Sequence, residues 1–387
     1  MNDTIALYNS DSHLRVFDAQ VLSCEPAATG WAVVLNQTAF FPEGGGQGSD
    51  RGTLDGIPVR DVQVQSGVIT HFTTEPLKIG QTVHGELDWA RRFRHMQNHS
   101  GEHIVSGILH RLYGLDNVGF HLGEEDVTID LNGELTRTDL DRAEQLANEA
   151  VFANLPVIAE FPDPALLHDM IYRSKLDLTE HVRIVTIGDV DCCACCAPHV
   201  AFTGEIGLIK LLDFMRFRGG IRVHLRCGSD ALADYRSKYQ NIMQISNLLS
   251  AKQDETAQAV RQFYDTLQTE KRTVSELKKQ LAHARAAALP QTDGALCLFE
   301  DGDSDTLREM VNIGMARSAM CGVFSGDDSA GYRYILGSNA IDLRALAPAF
   351  HRALSGRGGG RPEMIQGTVR ATRSEIEQWF ADFSVAR

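Results

Sequence analysis

The chain has 387 residues, 43% of them hydrophobic and 23% charged. This is enough apolar content to bury real cores, so the disordered and disulfide-stapled miniprotein classes are excluded. With 37 basic against 51 acidic residues, the net charge is −14, which for the chain as a whole counts against a nucleic-acid partner.

The length suggests two or three domains. Residues 1–88 hold 4 basic and 11 acidic side chains and read as short strands, among them Trp31–Leu35, Pro58–Val64 and Val68–Phe72. Frequent turn residues and no helical period predict a small β-barrel or sandwich. The opening stretch has no apolar segment of the signal-peptide kind, and no run approaches the roughly 18 residues of a membrane helix. A cytoplasmic protein is expected.

Residues 89–240 read as a mixed α/β segment. A helix is expected at His95–Leu112, with Ile104, Ile108 and Leu112 on one stripe, and another at Asp139–Asn154 with Asp139 as N-cap. Strands are expected at Val182–Ile187, Leu208–Phe214 and Ile221–Leu225. Residues 241–289 contain no Gly or Pro and step by 3 and 4 through Ile242, Ile245 and Leu249, then Val260, Phe263, Leu267, Val274, Leu277 and Leu281. This is a heptad seam passing through polar Lys252 and Thr256, with one stutter at the step from Thr256 to Val260, and it predicts a long helix or helical hairpin able to self-associate. After Pro290 an α/β pattern resumes to residue 387.

Four of the eight cysteines crowd together: Cys192, Cys193, Cys195 and Cys196. In a reducing compartment such crowding points to metal binding or reactivity. His99 and His103 are one helical turn apart and present both imidazoles on one face. Cys195 and His199 form a second pair at the same spacing. One Cys with three His is a good zinc set, so one zinc per chain is expected. The string His99-Ser100-Gly101-Glu102-His103 also fits the H-x-x-E-H of inverted-motif zinc peptidases, with Glu102 as base. Cys192, Cys193 and Cys196 are left as further ligands, a redox pair or small buried residues.

The run Thr38-Ala39-Phe40-Phe41-Pro42-Glu43-Gly44-Gly45-Gly46-Gln47-Gly48-Ser49-Asp50 resembles the opening motif of alanyl-tRNA editing domains. So do the two metal pairs, followed by Thr203-Gly204-Glu205-Ile206-Gly207. Gly356-Arg357-Gly358-Gly359-Gly360-Arg361-Pro362 resembles the glycine motif of the DHH-associated domain that ends alanyl-tRNA synthetases. The order of all blocks matches the long form of the free-standing editing proteins, the AlaX family. The barrel stands at the start of the chain, where the synthetase has its aminoacylation domain.

The resemblance implies an α+β architecture: a barrel (1–88), an α/β zinc editing domain (89–240), a coiled-coil-like helical spacer (241–289) and a C-terminal DHH-associated domain (290–387). It implies hydrolysis of the ester in tRNA(Ala) mischarged with serine, with glycine as a second substrate. A catalytically silent tRNA-binding scaffold is the other class. In the metal block, Ala197 and Pro198 stand at two inner positions where the family commonly has Gly and Thr.

Within the pocket, Gly45 and Gly46 would let backbone approach a ligand. Gln47 and Glu102 would orient water or brace a ligand, and Thr38 matches a position associated with the seryl hydroxyl. For tRNA phosphates the candidates are Arg216, Arg218 and Arg222 in the acid-free run 216–226, then Arg91 and Arg92, and Arg357 and Arg361 in the C-terminal glycine motif. That motif lacks the Lys-Ser/Thr ending of a P-loop. A homodimer through the spacer and C-terminal domain is the expected self-association.

Overall fold

In the computed structural model, residues 4–124, 127–174 and 182–383 are described. They divide into two compact units, Met1–Gln244 and Ile245–Arg387.

In the first unit, six strands close into a barrel in the order Val16–Pro26, Trp31–Leu35, Val68–Thr73, Ile57–Gln65, Gly52–Leu54 and Thr82–Leu87. Inward and outward residues alternate along Thr82–Leu87 and the first half of Val16–Pro26, as a half-buried strand requires. Phe17, Val33, Leu35, Leu54, Val62 and Val83 fill the interior.

The barrel hands over to helix α1 (Trp89–Tyr113), capped by the Asp88 carboxylate, which accepts from Arg91 N, and ended by Gly114 at φ 65°. α1 starts six residues before the expected His95. Its buried face is far wider than one stripe: every residue from His95 to Leu109 is buried. A four-stranded antiparallel sheet, in the order Ile209–Phe217, Gly220–Cys227, Val127–Leu131, Asn117–Leu122, packs against it together with helix α2 (Arg137–Phe152). Two glycines let neighbours close onto α1. A Cβ at Gly101 would meet Cys227 Sγ at 2.3 Å, and one at Gly107 would meet Val190 O at 2.5 Å. The N-cap of α2 is Thr136; Asp139 is the third helical residue, and the two form a capping box. A further sheet joins Val157–Glu160, Ile184–Ile187 and Asp191–Ala194, with the short helix α3 (Pro164–Asp169) between its first two strands in sequence.

α4 (Ser229–Leu249) and α5 (Thr256–Ala287) cover the expected spacer, but α4 starts twelve residues before position 241 and the boundary between the two units falls inside it. The two helices are separated by a break that lies before the expected stutter, which itself falls inside the first turn of α5. Ser250 takes φ 51° and a 3-10 turn, Gln253–Glu255, precedes α5. The seam residues Val260, Phe263, Val274, Leu277 and Leu281 are exposed.

In the second unit, a five-stranded sheet runs Ala295–Phe299, Met320–Asp327, Gly331–Gly337, Met364–Val369, Arg357–Arg361, flanked by α6 (Ser304–Gly314), α7 (Leu343–Ala353) and α8 (Arg373–Ala381). The C-terminal glycine motif is therefore the edge strand of this sheet, not a turn or loop. Gly358 is needed there because a Cβ would meet Gln366 O at 2.2 Å and Tyr334 Oη at 2.6 Å.

Arg92, expected on the tRNA surface, is fully buried. Its guanidinium pairs with Asp50 and donates to Ser12 O at 3.0 Å and Ala39 O. Asp50 in turn accepts from Phe41 N at 2.6 Å. This pair locks the glycine-rich segment to α1. Removing one member of such a pair strands a buried charge. Arg92→Met should therefore lower the unfolding free energy by about 3–5 kcal/mol in denaturant titration. A midpoint equal to wild type would contradict the role given to the pair.

Candidate metal centre

Four side chains converge between the barrel and α1. The ligand atoms of His99, His103, Cys195 and His199 lie within 4.8 Å of one another. His99 and His103 come from successive turns of α1. Cys195 follows the strand Asp191–Ala194, in which Asp191 and Cys193 share a face. His199 returns across the Ala197-Pro198 turn.

Each imidazole is held from behind. His99 Nδ1 lies 3.0 Å from Gln47 Oε1, His103 Nδ1 lies 2.9 Å from an Asp191 carboxylate oxygen, and His199 Nδ1 lies 3.0 Å from Ser100 Oγ. Nε2 of His99 and His199 point to Cys195 Sγ at 3.5 and 3.4 Å. A carbonyl or carboxylate at Nδ1 fixes the tautomer with its proton there and leaves Nε2 as the lone-pair donor. The Gln47 amide orientation is assigned by this network; the reverse orientation would put the proton on the wrong nitrogen of His99.

Electrostatics agrees. Burial alone would push the Cys195 thiol up, but His99 and His199, with hydrogen bonds from His103 and His199, hold it well below the usual thiol range. Burial pushes His199 down to about 3, so it is neutral at pH 7. Burial also disfavours charge on His103, yet the hydrogen bonds to Asp191 and Cys195, with the charge of Cys195, together outweigh it and hold His103 well above the usual imidazole range. Three imidazoles with their Nδ1 atoms partnered and one thiolate-prone sulfur are the donor set of a tetrahedral zinc site, and a metal at His103 would displace its second proton.

The group borders a cavity of about 520 Å³, lined also by Tyr8, Gly45, Gly46, Glu102, Phe120 and Arg183. The Gly44–Gln47 segment is a tight turn closed by reciprocal backbone bonds of 3.0 Å between those two residues, with Gly45 at φ 61° and Gly46 at φ 81°. Positive φ at both central positions calls for glycine. A Cβ at Gly46 would also meet Phe120 O at 2.4 Å. The glycines thus bring this backbone to the cavity wall.

Other expected residues sit elsewhere. Gln47 is buried and not in the cavity wall; its carbonyl holds His99. Thr38 is also buried away from the wall, because its hydroxyl bonds His71 Nε2 at 2.8 Å and accepts from Phe40 N at 3.1 Å. Glu102 is a buried cavity residue, and its Oε1 accepts from Ser106 and Asn117. That engagement, and Cys195 and His199 completing the quartet, count against the peptidase reading of H-x-x-E-H.

Of the crowded thiols, Cys193 is buried beside His103 and Asp191, while Cys196 lies near Gly45. Asp191, Ser100 and Arg183 were not singled out in the sequence. No spacing rule flags them, since their roles arise from long-range packing.

The arginines divide sharply. Arg216 and Arg218 are exposed, Arg216 with only Glu134 at 3.4 Å. Arg222 is held by Asp130 through bonds of 2.6 and 2.8 Å. Arg91 is tied to Ser49 O and Glu124. Arg357 and Arg361 are exposed at the two ends of the edge strand. The acid-free run 216–226 is thus partly neutralised where Asp130 meets Arg222 and Asp234 meets Arg226.

Asp191 binds both His103 and Arg173. Asp191→Asn should lower metal affinity by about 10–100-fold in chelator competition. Unchanged affinity would remove Asp191 from the site.

Residues 182–226 match the family described as threonyl and alanyl tRNA synthetase second additional domain, and residues 11–91 match class II (A) tRNA synthetases. The chain is 29% identical to alanyl-tRNA editing protein AlaX-L of Pyrococcus horikoshii, over 96% of each chain. It is 28% identical to alanyl-tRNA editing protein Aarsd1 of Mus musculus, over 97% of each. It is 32% identical to alanine–tRNA ligase of Natronomonas pharaonis, over 94% of this chain but 42% of the ligase. Over nearly its whole length the chain is thus similar to free-standing alanyl-tRNA editing proteins.

Proposed function

We propose that the chain is a zinc-dependent aminoacyl-tRNA deacylase that hydrolyses the ester of tRNA(Ala) mischarged with serine, with glycine as a second substrate. The observation that carries this reading is the His99, His103, Cys195, His199 quartet, three of whose members, His99, His103 and Cys195, line a cavity. Those four residues would hold one zinc ion. With all four bound, the ion would have no open position, and it would organise the pocket around the amino acid and its ester.

The chain's own residues do the rest. Gln47, Asp191 and Ser100 keep the imidazoles aimed. The Gly45-Gly46 backbone forms a wall that a substrate can approach closely. Glu102 sets the floor through Ser106 and Asn117. An aminoacyl ester is already labile, so orientation in an enclosed site is the main requirement. Rejecting alanine while accepting serine requires a polar partner for the added hydroxyl.

Arg216 and Arg218 in the first unit, and Arg357 and Arg361 in the second, are the exposed cations suited to phosphates. The exposed apolar face of α5 suits a second copy of the chain through a coiled-coil seam. No helix among the described residues is long and apolar enough to cross a membrane.

Purified protein should deacylate Ser-tRNA(Ala) and spare Ala-tRNA(Ala). Zinc-replete protein inactive on both Ser- and Gly-tRNA(Ala) would refute the reading. His103→Ala should lose bound zinc and deacylation together; full zinc content would remove it from the ligand set. The double variant Arg216→Ala/Arg218→Ala should weaken tRNA binding and flatten its salt dependence by about one to two counterions, with zinc content unchanged. An unaltered slope would exclude both side chains.

A further inference from the structure

Arg183 stands out among the buried charges. It is 6% exposed, yet among the described residues no carboxylate pairs with it. Nη1 donates to two neutral acceptors, Cys195 O at 3.1 Å and Ala197 O at 2.8 Å. Nε is buried and has no partner. A guanidinium carries five donors, and most of these are unspent.

The other deep arginines differ. Arg92 is matched by Asp50, and Arg173, which also lines the cavity, is matched by Asp191. Burying a guanidinium with no carboxylate beside it is costly; the Cys195 and Cys196 sulfurs offset this only in part, and burial still pushes Arg183 below its ordinary value. Such a group persists where a ligand supplies the missing charge. Arg183 lines the same cavity as His99, His103 and Cys195. Its position there is fixed from the backbone, because its own carbonyl accepts from Cys195 N at 3.0 Å.

We propose that Arg183 is a substrate-binding residue of this cavity, whose guanidinium takes an anionic oxygen of the bound aminoacyl-tRNA end. Two oxygens have that chemistry: the phosphodiester of the terminal nucleotide, and the carbonyl oxygen that becomes negative when the ester is attacked. The assignment rests on the deacylase reading. Arg is suited to either, since its fork meets paired oxygens. The alternative is a brace that only fastens the Cys195–Ala197 turn.

The test compares Arg183→Gln and Arg183→Lys with wild type. It measures zinc content, thermal midpoint, affinity for uncharged tRNA(Ala), and kcat and KM on Ser-tRNA(Ala). Arg183→Gln should keep its zinc and lose about 10- to 100-fold in kcat/KM, with partial recovery in Arg183→Lys. Weaker binding of uncharged tRNA would assign the phosphodiester. A fall in kcat with unchanged tRNA affinity would assign the reacting oxygen. Activity and tRNA affinity within twofold of wild type would overturn the proposal. So would loss of zinc in both variants, which would mark a brace. Wild-type protein without deacylation would instead refute the deacylase reading. The tRNA-affinity comparison would then decide Arg183 on its own, with unchanged affinity overturning it.

Discussion

The centre depends on one constraint: three imidazoles must each turn the same nitrogen inward. That is achieved by three partners from three different places. Gln47 comes from the turn beside the barrel, Ser100 from α1 itself, and Asp191 from the start of a strand. A metal site without such partners would have free tautomers and rotating rings. The fold can be read as the means of bringing these partners together. α1 carries buried polar residues such as Gln97, Asn98, Ser100, Glu102 and Ser106 along its length. They are tolerable only because the neighbouring barrel and sheet satisfy them, as when Asn98 Oδ1 accepts from Cys227 N at 2.9 Å.

The same burial explains why the glycines matter. Gly101 and Gly107 cost helix propensity, about 1 kcal/mol each relative to Ala. They let the strand at Cys227 and the turn before Asp191 approach α1 closely. Without the second approach, Asp191 would stand too far from His103. The Arg92–Asp50 pair does the corresponding work on the barrel side by holding the glycine-rich turn against α1. Stability and site geometry are thus served by the same contacts.

Much of this was legible in sequence. The short β-type runs and frequent turn residues in 1–88 foretold strands, and Trp31–Leu35 falls where its apolar run predicts. The two ligand pairs at four-residue spacing pointed to one site because helical and turn geometry make that spacing meaningful. What was not legible depended on tertiary packing. The wide burial of α1 hides behind an unremarkable stripe of apolar residues. The helix break at Ser250 leaves no mark in the heptad pattern, since no Gly or Pro stands there. The roles of Thr38 and Gln47 shift from the pocket to its supports, because only the fold shows that His71 and His99 claim their polar atoms. Arg92 looks like its neighbours in sequence, yet it is buried where Arg216 is open to solvent.

Charge tells a similar story. A net −14 hides the fact that the exposed arginines and the buried ones do different work. Several basic residues, Arg222 and Arg226 among them, are neutralised by acids across the sheet or on α4. The most direct test of the central claim is zinc K-edge X-ray absorption on the purified, zinc-replete protein. The account predicts a four-coordinate shell of three nitrogens at about 2.0–2.1 Å and one sulfur at about 2.3 Å. A shell with two or more sulfurs, or one of oxygen donors without sulfur, would contradict it.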